Sequence, residues 1–92
     1  MLMQIISLDR IKQVLAESNT ADMLKAIEDG FVMYAQGKVK VPPVGHLGFT
    51  DPPGDLHIKY GYIEGDDHYV IKIASGFYDN PKHGLPPGNG MM

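Results

Sequence analysis

The sequence predicts an α+β domain in which N-terminal helices pack on a small mixed or antiparallel sheet containing a β-hairpin. Three observations predict it. Two early stretches space their apolar side chains at helical intervals, two later stretches alternate with period two, and segments rich in Gly and Pro lie between and after them.

Met3 to Ile6 is a short apolar run and reads as a strand. Ser7 is an N-cap candidate for a helix over Asp9 to Glu17, with Asp9 in the first turn, where the helix dipole favours an anion. Ile11, Val14 and Leu15 share one face of that helix. Asn19 or Thr20 caps a second helix from Ala21 to Gln36, closed by Gly37, with Leu24, Ile27, Phe31 and Tyr34 or Ala35 as its apolar stripe. Gly30 lies inside this helix at a cost of about 1 kcal/mol relative to Ala, so a close contact is expected there. Lys38 to Val41 reads as a strand stopped by Pro42-Pro43. Val44 to Asp55 reads as loop. Leu56 to Tyr62 and His68 to Ala74 read as two strands, and Ser75 to Gly90, with three Pro and four Gly, as a second loop.

The chain has 92 residues, of which 43% are hydrophobic and 21% charged, so it suits one small globular unit or a piece of a larger one. The net charge of -3 and the absence of a basic run or of aromatic–basic interleaving argue against nucleic acid as a partner. Without cysteine there is no disulfide, no thiolate chemistry and no cysteine zinc site. The apolar start has no basic leader, and no stretch is long enough to cross a bilayer, so a cytoplasmic protein without membrane contact is expected. His46, His57, His68 and His83 show no metal-ligand spacing, and no metal site is expected. No strand–Gly-x-Gly-x-x-Gly–helix unit occurs, so no Rossmann domain and no cofactor site are expected within these residues.

The hairpin carries the sharpest local signal. With Gly65-Asp66 as a two-residue turn, Tyr62 faces Tyr69, Tyr60 faces Ile71 and Ile58 faces Ile73. One face is then apolar or aromatic. The other holds His57, Lys59, Gly61, Val70, Lys72 and Ala74, and it sets Lys59 directly across from Lys72. A slip of one residue would move Lys72 and His68 among the apolar side chains, so this register is preferred. Like charges placed opposite each other repel. Either this face meets solvent and the ammonium groups splay apart, or the pair binds an anion such as a carboxylate, or moves a proton. The small neighbours Gly61, Val70 and Ala74 leave room for a ligand.

The run Tyr69-Val-Ile-Lys72-Ile-Ala-Ser-Gly-Phe-Tyr-Asp-Asn-Pro81, followed by Gly84-Leu-Pro-Pro-Gly-Asn-Gly90, resembles the ornithine cyclodeaminase/mu-crystallin family. Its members carry a lysine-bearing strand, an Asn-Pro turn and a Gly-Leu-Pro loop in that order. Val41-Pro-Pro43 and the long helix before it sit in matching places. The resemblance implies that residues 1-92 are the N-terminal part of a substrate-binding and dimerisation domain, completed by later chain and followed by a domain binding NAD or NADP. It implies a small amino or imino acid substrate, a homo-oligomer, and a role for Lys72 at the substrate, holding its carboxylate or assisting proton transfer. Members include ornithine cyclodeaminase, alanine dehydrogenase and ketimine reductases. The family pattern often has an arginine just after the Pro-Pro pair. Here Val44-Gly45-His46 follows, and Arg10 is the only arginine. Lys59 and His46 are the residues that could stand in for that clamp. On this reading the 92-residue chain alone is inactive. The other reading is a standalone oligomerising or ligand-binding module, and a small enzyme using Lys59 and Lys72 as an acid–base pair is the third.

Overall fold

The computed structural model describes Leu2–Met92. These residues form two compact units, one running through Val32 and the other Met33–Met92.

In the first unit, α1 spans Leu8–Glu17 and α2 starts at Thr20, running to Ala35 across the boundary between the units. Ser7 caps α1 as expected: its hydroxyl accepts the Arg10 N–H at 3.2 Å. For α2 the cap is Asn19 rather than Thr20, since the Asn19 side-chain oxygen accepts the N–H groups of Ala21 and Asp22 at 2.8 and 3.4 Å. Met3–Ile6 forms no strand. An apolar run of this length needs a neighbouring strand to take up its backbone groups, and the described residues offer it none. The helical stripes are present and exposed, with Ile11, Val14 and Leu15 at 43, 44 and 53% exposure and Phe31 at 73%. No close contact explains Gly30, because a Cβ built there meets nothing within 4 Å.

In the second unit the strands are β1 (Val39–Lys40), β2 (Gly45–Thr50), β3 (Pro53–Ile63), β4 (Tyr69–Phe77) and β5 (Gly88–Met91). All pairings are antiparallel. The long β3 has β4 on one side and, on its other, β2 along its first half and β1 at its far end; β5 completes the sheet beside β4. The hairpin register is the expected one, with Tyr62, Tyr60, Lys59 and Ile58 opposite Tyr69, Ile71, Lys72 and Ile73.

Three expectations change. The segment expected as loop, Val44 to Asp55, is mostly strand: β2 folds back on β3 through Asp51-Pro52, whose peptide bond is cis. The hairpin turn is not Gly65-Asp66. It is Ile63–Asp66, closed by the Asp66 N–H on the Ile63 carbonyl at 3.0 Å, with Gly65 at φ 87° in the third position, where a type II turn requires glycine. Asp67 and His68 then lengthen the loop before β4. Finally, Ser75 to Gly90 is not one loop. It contains the end of β4, a single 3-10 turn (Asn80–His83) and β5.

That last stretch has a clear local logic. The Asn80 side-chain amide donates to the Pro86 carbonyl at 3.0 Å, and Gly84 at φ 73° reverses the chain after the 3-10 turn. The Phe77 N–H then donates to the Pro87 carbonyl at 2.9 Å, which delivers β5 to the edge of β4. The Asn-Pro and Gly-Leu-Pro-Pro segments thus add a strand beside the one bearing Lys72.

The sheet has two unlike faces. Leu47, Leu56, Ile58, Tyr60 and Ile71 share one with Phe49 and Phe77, whose rings stack at 5.5 Å. The other holds the lysine pair. None of the described hydrophobic side chains is fully buried. No helix among the described residues is long and apolar enough to cross a membrane.

Candidate functional site

Residues paired directly across antiparallel strands project to the same face, as do residues two apart along one strand. These two rules assemble the site. β3 contributes Asp55, His57, Lys59 and Gly61 to one face. The pairings His57 with Ala74 and Lys59 with Lys72 extend it onto β4, and His46 with His57 extends it onto β2. Glycines border this surface on several strands: Gly48 on β2, Gly61 on β3, Gly76 on β4 and Gly88 and Gly90 on β5. Little side-chain bulk rises between the charged groups.

Lys59 and Lys72 both line a cleft of about 330 Å³, walled by Val39, Val41, Val70 and Met92, with Gly61 on its floor. Gly61 has no room for more: a Cβ there would lie 2.5 Å from the Lys40 carbonyl oxygen and 3.1 Å from Val41. Neither lysine makes an ion pair among the described residues, in contrast to Lys40, which meets Glu64 at 3.3 Å. Asp66 and His68 also line this cleft, and two lysines paired across neighbouring strands on one face can set their ammonium groups on either side of one carboxylate.

Of the three residues expected at the site, Lys59 and Lys72 come together as predicted. His46 lies on the same face but farther along it. Its ring packs on that of His57, with centroids 4.6 Å apart, and the pair joins Asp55 in a cluster whose ligand atoms all lie within 4.8 Å of one another. Sequence reading missed this cluster because it treated Val44 to Asp55 as loop. The signal that could have revealed it is Asp51-Pro52 taken as a two-residue turn: counting back from it places His46 opposite His57.

Beside Asp55 stands Tyr78. Hydrogen bonding to the Asp55 carboxylate, then the negative charge of that group, then a small desolvation raise the Tyr78 pKa above its usual 10.0. The sign follows directly. The contact favours the neutral phenol, so its contribution to stability is complete below pH about 10 and is lost as pH rises through the elevated value. Asp55→Asn is expected to return Tyr78 to ordinary titration, read as the difference in phenolate absorbance between that variant and the parent, with Tyr78→Phe marking the Tyr78 signal. An unchanged titration would dissociate the two groups.

No family model matches the chain, and no solved structure matches it. Two curated relatives do. One, named "Uncharacterized cyclodeaminase y4tK" from Sinorhizobium fredii, is 44% identical over 72 residues, 77% of this chain and 22% of that protein. The other, named "Putative dehydrogenase RB0419" from Rhizobium meliloti, is 41% identical over 71 residues, again 77% of this chain and 22% of that protein. The matched stretch thus covers about a fifth of the length of these curated relatives. Identity of this degree over three quarters of a chain reflects common descent, and the names of the two relatives are consistent with an ornithine cyclodeaminase-like family.

Proposed function

We propose that this chain forms part of the substrate pocket of a cyclodeaminase- or dehydrogenase-type enzyme, and that Lys72, seconded by Lys59, holds the carboxylate of a small amino or imino acid. The observation that carries the reading is the opposed lysine pair over a glycine-floored cleft of about 330 Å³. A cleft of that size lies at the small end of ligand pockets, in keeping with a substrate of few atoms. The names of the two relatives support the reaction class.

The nicotinamide cofactor implied by the family is not one these residues fit. Gly84 follows a one-turn 3-10 segment, Gly88 and Gly90 lie within the edge strand β5, and Pro86 and Pro87 between them have no N–H to offer a pyrophosphate. In this proposal other chain holds NAD or NADP. What the present residues supply is charge at the carboxylate and an apolar wall.

The exposed apolar surfaces accord with this incompleteness. Phe31, Tyr69 and Leu24 are 73, 76 and 62% exposed, more apolar surface than a lone unit leaves in water, so we assign these faces to contacts with further chain or a second copy. Titration with L-alanine, L-proline, L-ornithine and a cyclic imino acid, following the lysine side-chain ammonium resonances by NMR, tests the site. Saturable shifts at Lys72 and Lys59 are expected for at least one ligand, with weak affinity. If those signals stay still while other parts of the protein respond, the assignment of the pocket is wrong.

A further inference from the structure

We propose that His46, Asp55 and His57 form a binding site for a first-row divalent metal ion of the zinc type. The site is distinct from the lysine cleft, and its residues are placed by backbone pairing. His46 and His57 are direct partners across β2 and β3, and Asp55 precedes His57 by two residues, so all three side chains leave the same face. One ligand atom from each lies within 4.8 Å of the other two. Around a tetrahedral ion with bonds of about 2.0–2.2 Å the ligand atoms stand roughly 3.4 Å apart. Side-chain rotation of about 1 Å closes the difference without moving the sheet.

The chemistry of the set points to the ion. Two imidazoles and one carboxylate suit zinc and its borderline neighbours better than magnesium or calcium, which prefer all-oxygen shells. Three protein ligands leave a fourth position open to water or a small ligand. Two features of the surroundings favour occupancy. The Tyr78 hydroxyl beside Asp55 is an outer partner of the kind that orients a ligating carboxylate. Gly48 and Gly76 also keep the approach clear: a Cβ on the first would rest 3.7 Å from the His46 ring, and one on the second 3.7 Å from the Asp55 carboxylate. One feature opposes it. Lys59 lies one alternation along β3 from His57 on the same face, and its positive charge weakens attraction for a cation. An affinity in the micromolar range is therefore expected, below that of a closed structural site.

Zinc chloride titrated into the chain at pH 7.5 tests the assignment by calorimetry and by histidine ring NMR. One ion per chain is expected, with the His46 and His57 resonances moving together while those of His68 and His83, both outside the cluster, stay in place. His46→Ala and His57→Ala should each weaken binding at least tenfold, and Asp55→Asn somewhat less. Equal shifts at all four histidines, or no saturable binding up to millimolar zinc, would overturn the site; so would undiminished binding in the His46→Ala/His57→Ala double variant. The ring resonances of the parent protein decide the matter even where a variant folds poorly. Lys72→Met, which the carboxylate-binding proposal predicts to be damaging, should leave zinc binding intact, so the two readings can fail separately.

Discussion

Lys72→Met is expected to lower kcat/KM for an amino or imino acid substrate by about 100-fold in a protein that joins this segment to its dinucleotide-binding partner. Methionine keeps most of the length and apolar body of the side chain and removes only the charge. A hydrogen bond to a charged group contributes about 1.5–3 kcal/mol, and each 1.36 kcal/mol is a factor of ten in rate. Lys72 is exposed in the described residues, so the upper part of that range applies once further chain closes the cleft and excludes water. Lys59→Met removes the second cation and is expected to cost less, about tenfold. The division between KM and kcat separates two roles. An anchor for a carboxylate that is unchanged through the reaction raises KM and spares kcat, whereas a proton carrier lowers kcat and shifts the pH profile. Lys72→Arg sharpens the test, since a guanidinium preserves the charge but remains protonated. Activity retained in Lys72→Arg identifies anchoring; activity lost there and in Lys72→Met identifies proton transfer. Full activity in Lys72→Met would remove this residue from the pocket.

The position of Lys72 was legible before any coordinates because period-two alternation fixes a strand's faces, and a slip of one residue would have exchanged them. The Lys59–Lys72 pairing therefore followed from counting alone. The same counting failed between Val44 and Asp55. Gly45, Gly48, Pro52, Pro53 and Gly54 are residues of low strand propensity, and here pairing on both sides of β3 overrides that local preference. The error hid the His46–His57 contact, which depends on β2 being a strand. The opening run Met3–Ile6 erred the other way: its composition suits a strand, but strand formation is a property of a pair, and none of the described strands pairs with it. The tail is different again. Gly88-Asn-Gly-Met91 has little intrinsic strand character, and it pairs because Asn80, Gly84 and Phe77 deliver it to the edge of β4.

Gly54→Ala is expected to destabilise the sheet by about 3 kcal/mol, a large effect for a single methyl group. Gly54 is buried, alone among the described residues. It lies on β3 between Phe49 of β2 and Phe77 of β4, and those two rings close over it at a tilt of 35°. A Cβ at this position would collide with the Gly76 carbonyl oxygen and approach the Phe77 ring at 2.7 Å and 3.1 Å. A ring can rotate away, although that forfeits an aromatic contact of about 0.5–1.5 kcal/mol. A backbone carbonyl held in the β3–β4 ladder has no such freedom, and overpacking of that kind costs about 1–3 kcal/mol. For a domain of this size a loss of about 3 kcal/mol lowers Tm by about 12–24 °C. Gly88→Ala is the matched control, because its nearest neighbour to a new Cβ is the Ser75 carbonyl oxygen at an ordinary 3.7 Å; it should change Tm by only a few degrees. Combining Gly54→Ala with Phe77→Ala separates the two obstacles. The double variant should recover the part of the loss due to the ring and retain the part due to the carbonyl, giving a coupling energy of about 1 kcal/mol. Equal Tm values for Gly54→Ala and Gly88→Ala would mean that β3 and β4 do not approach as closely at this point as the Phe49–Phe77 stack requires.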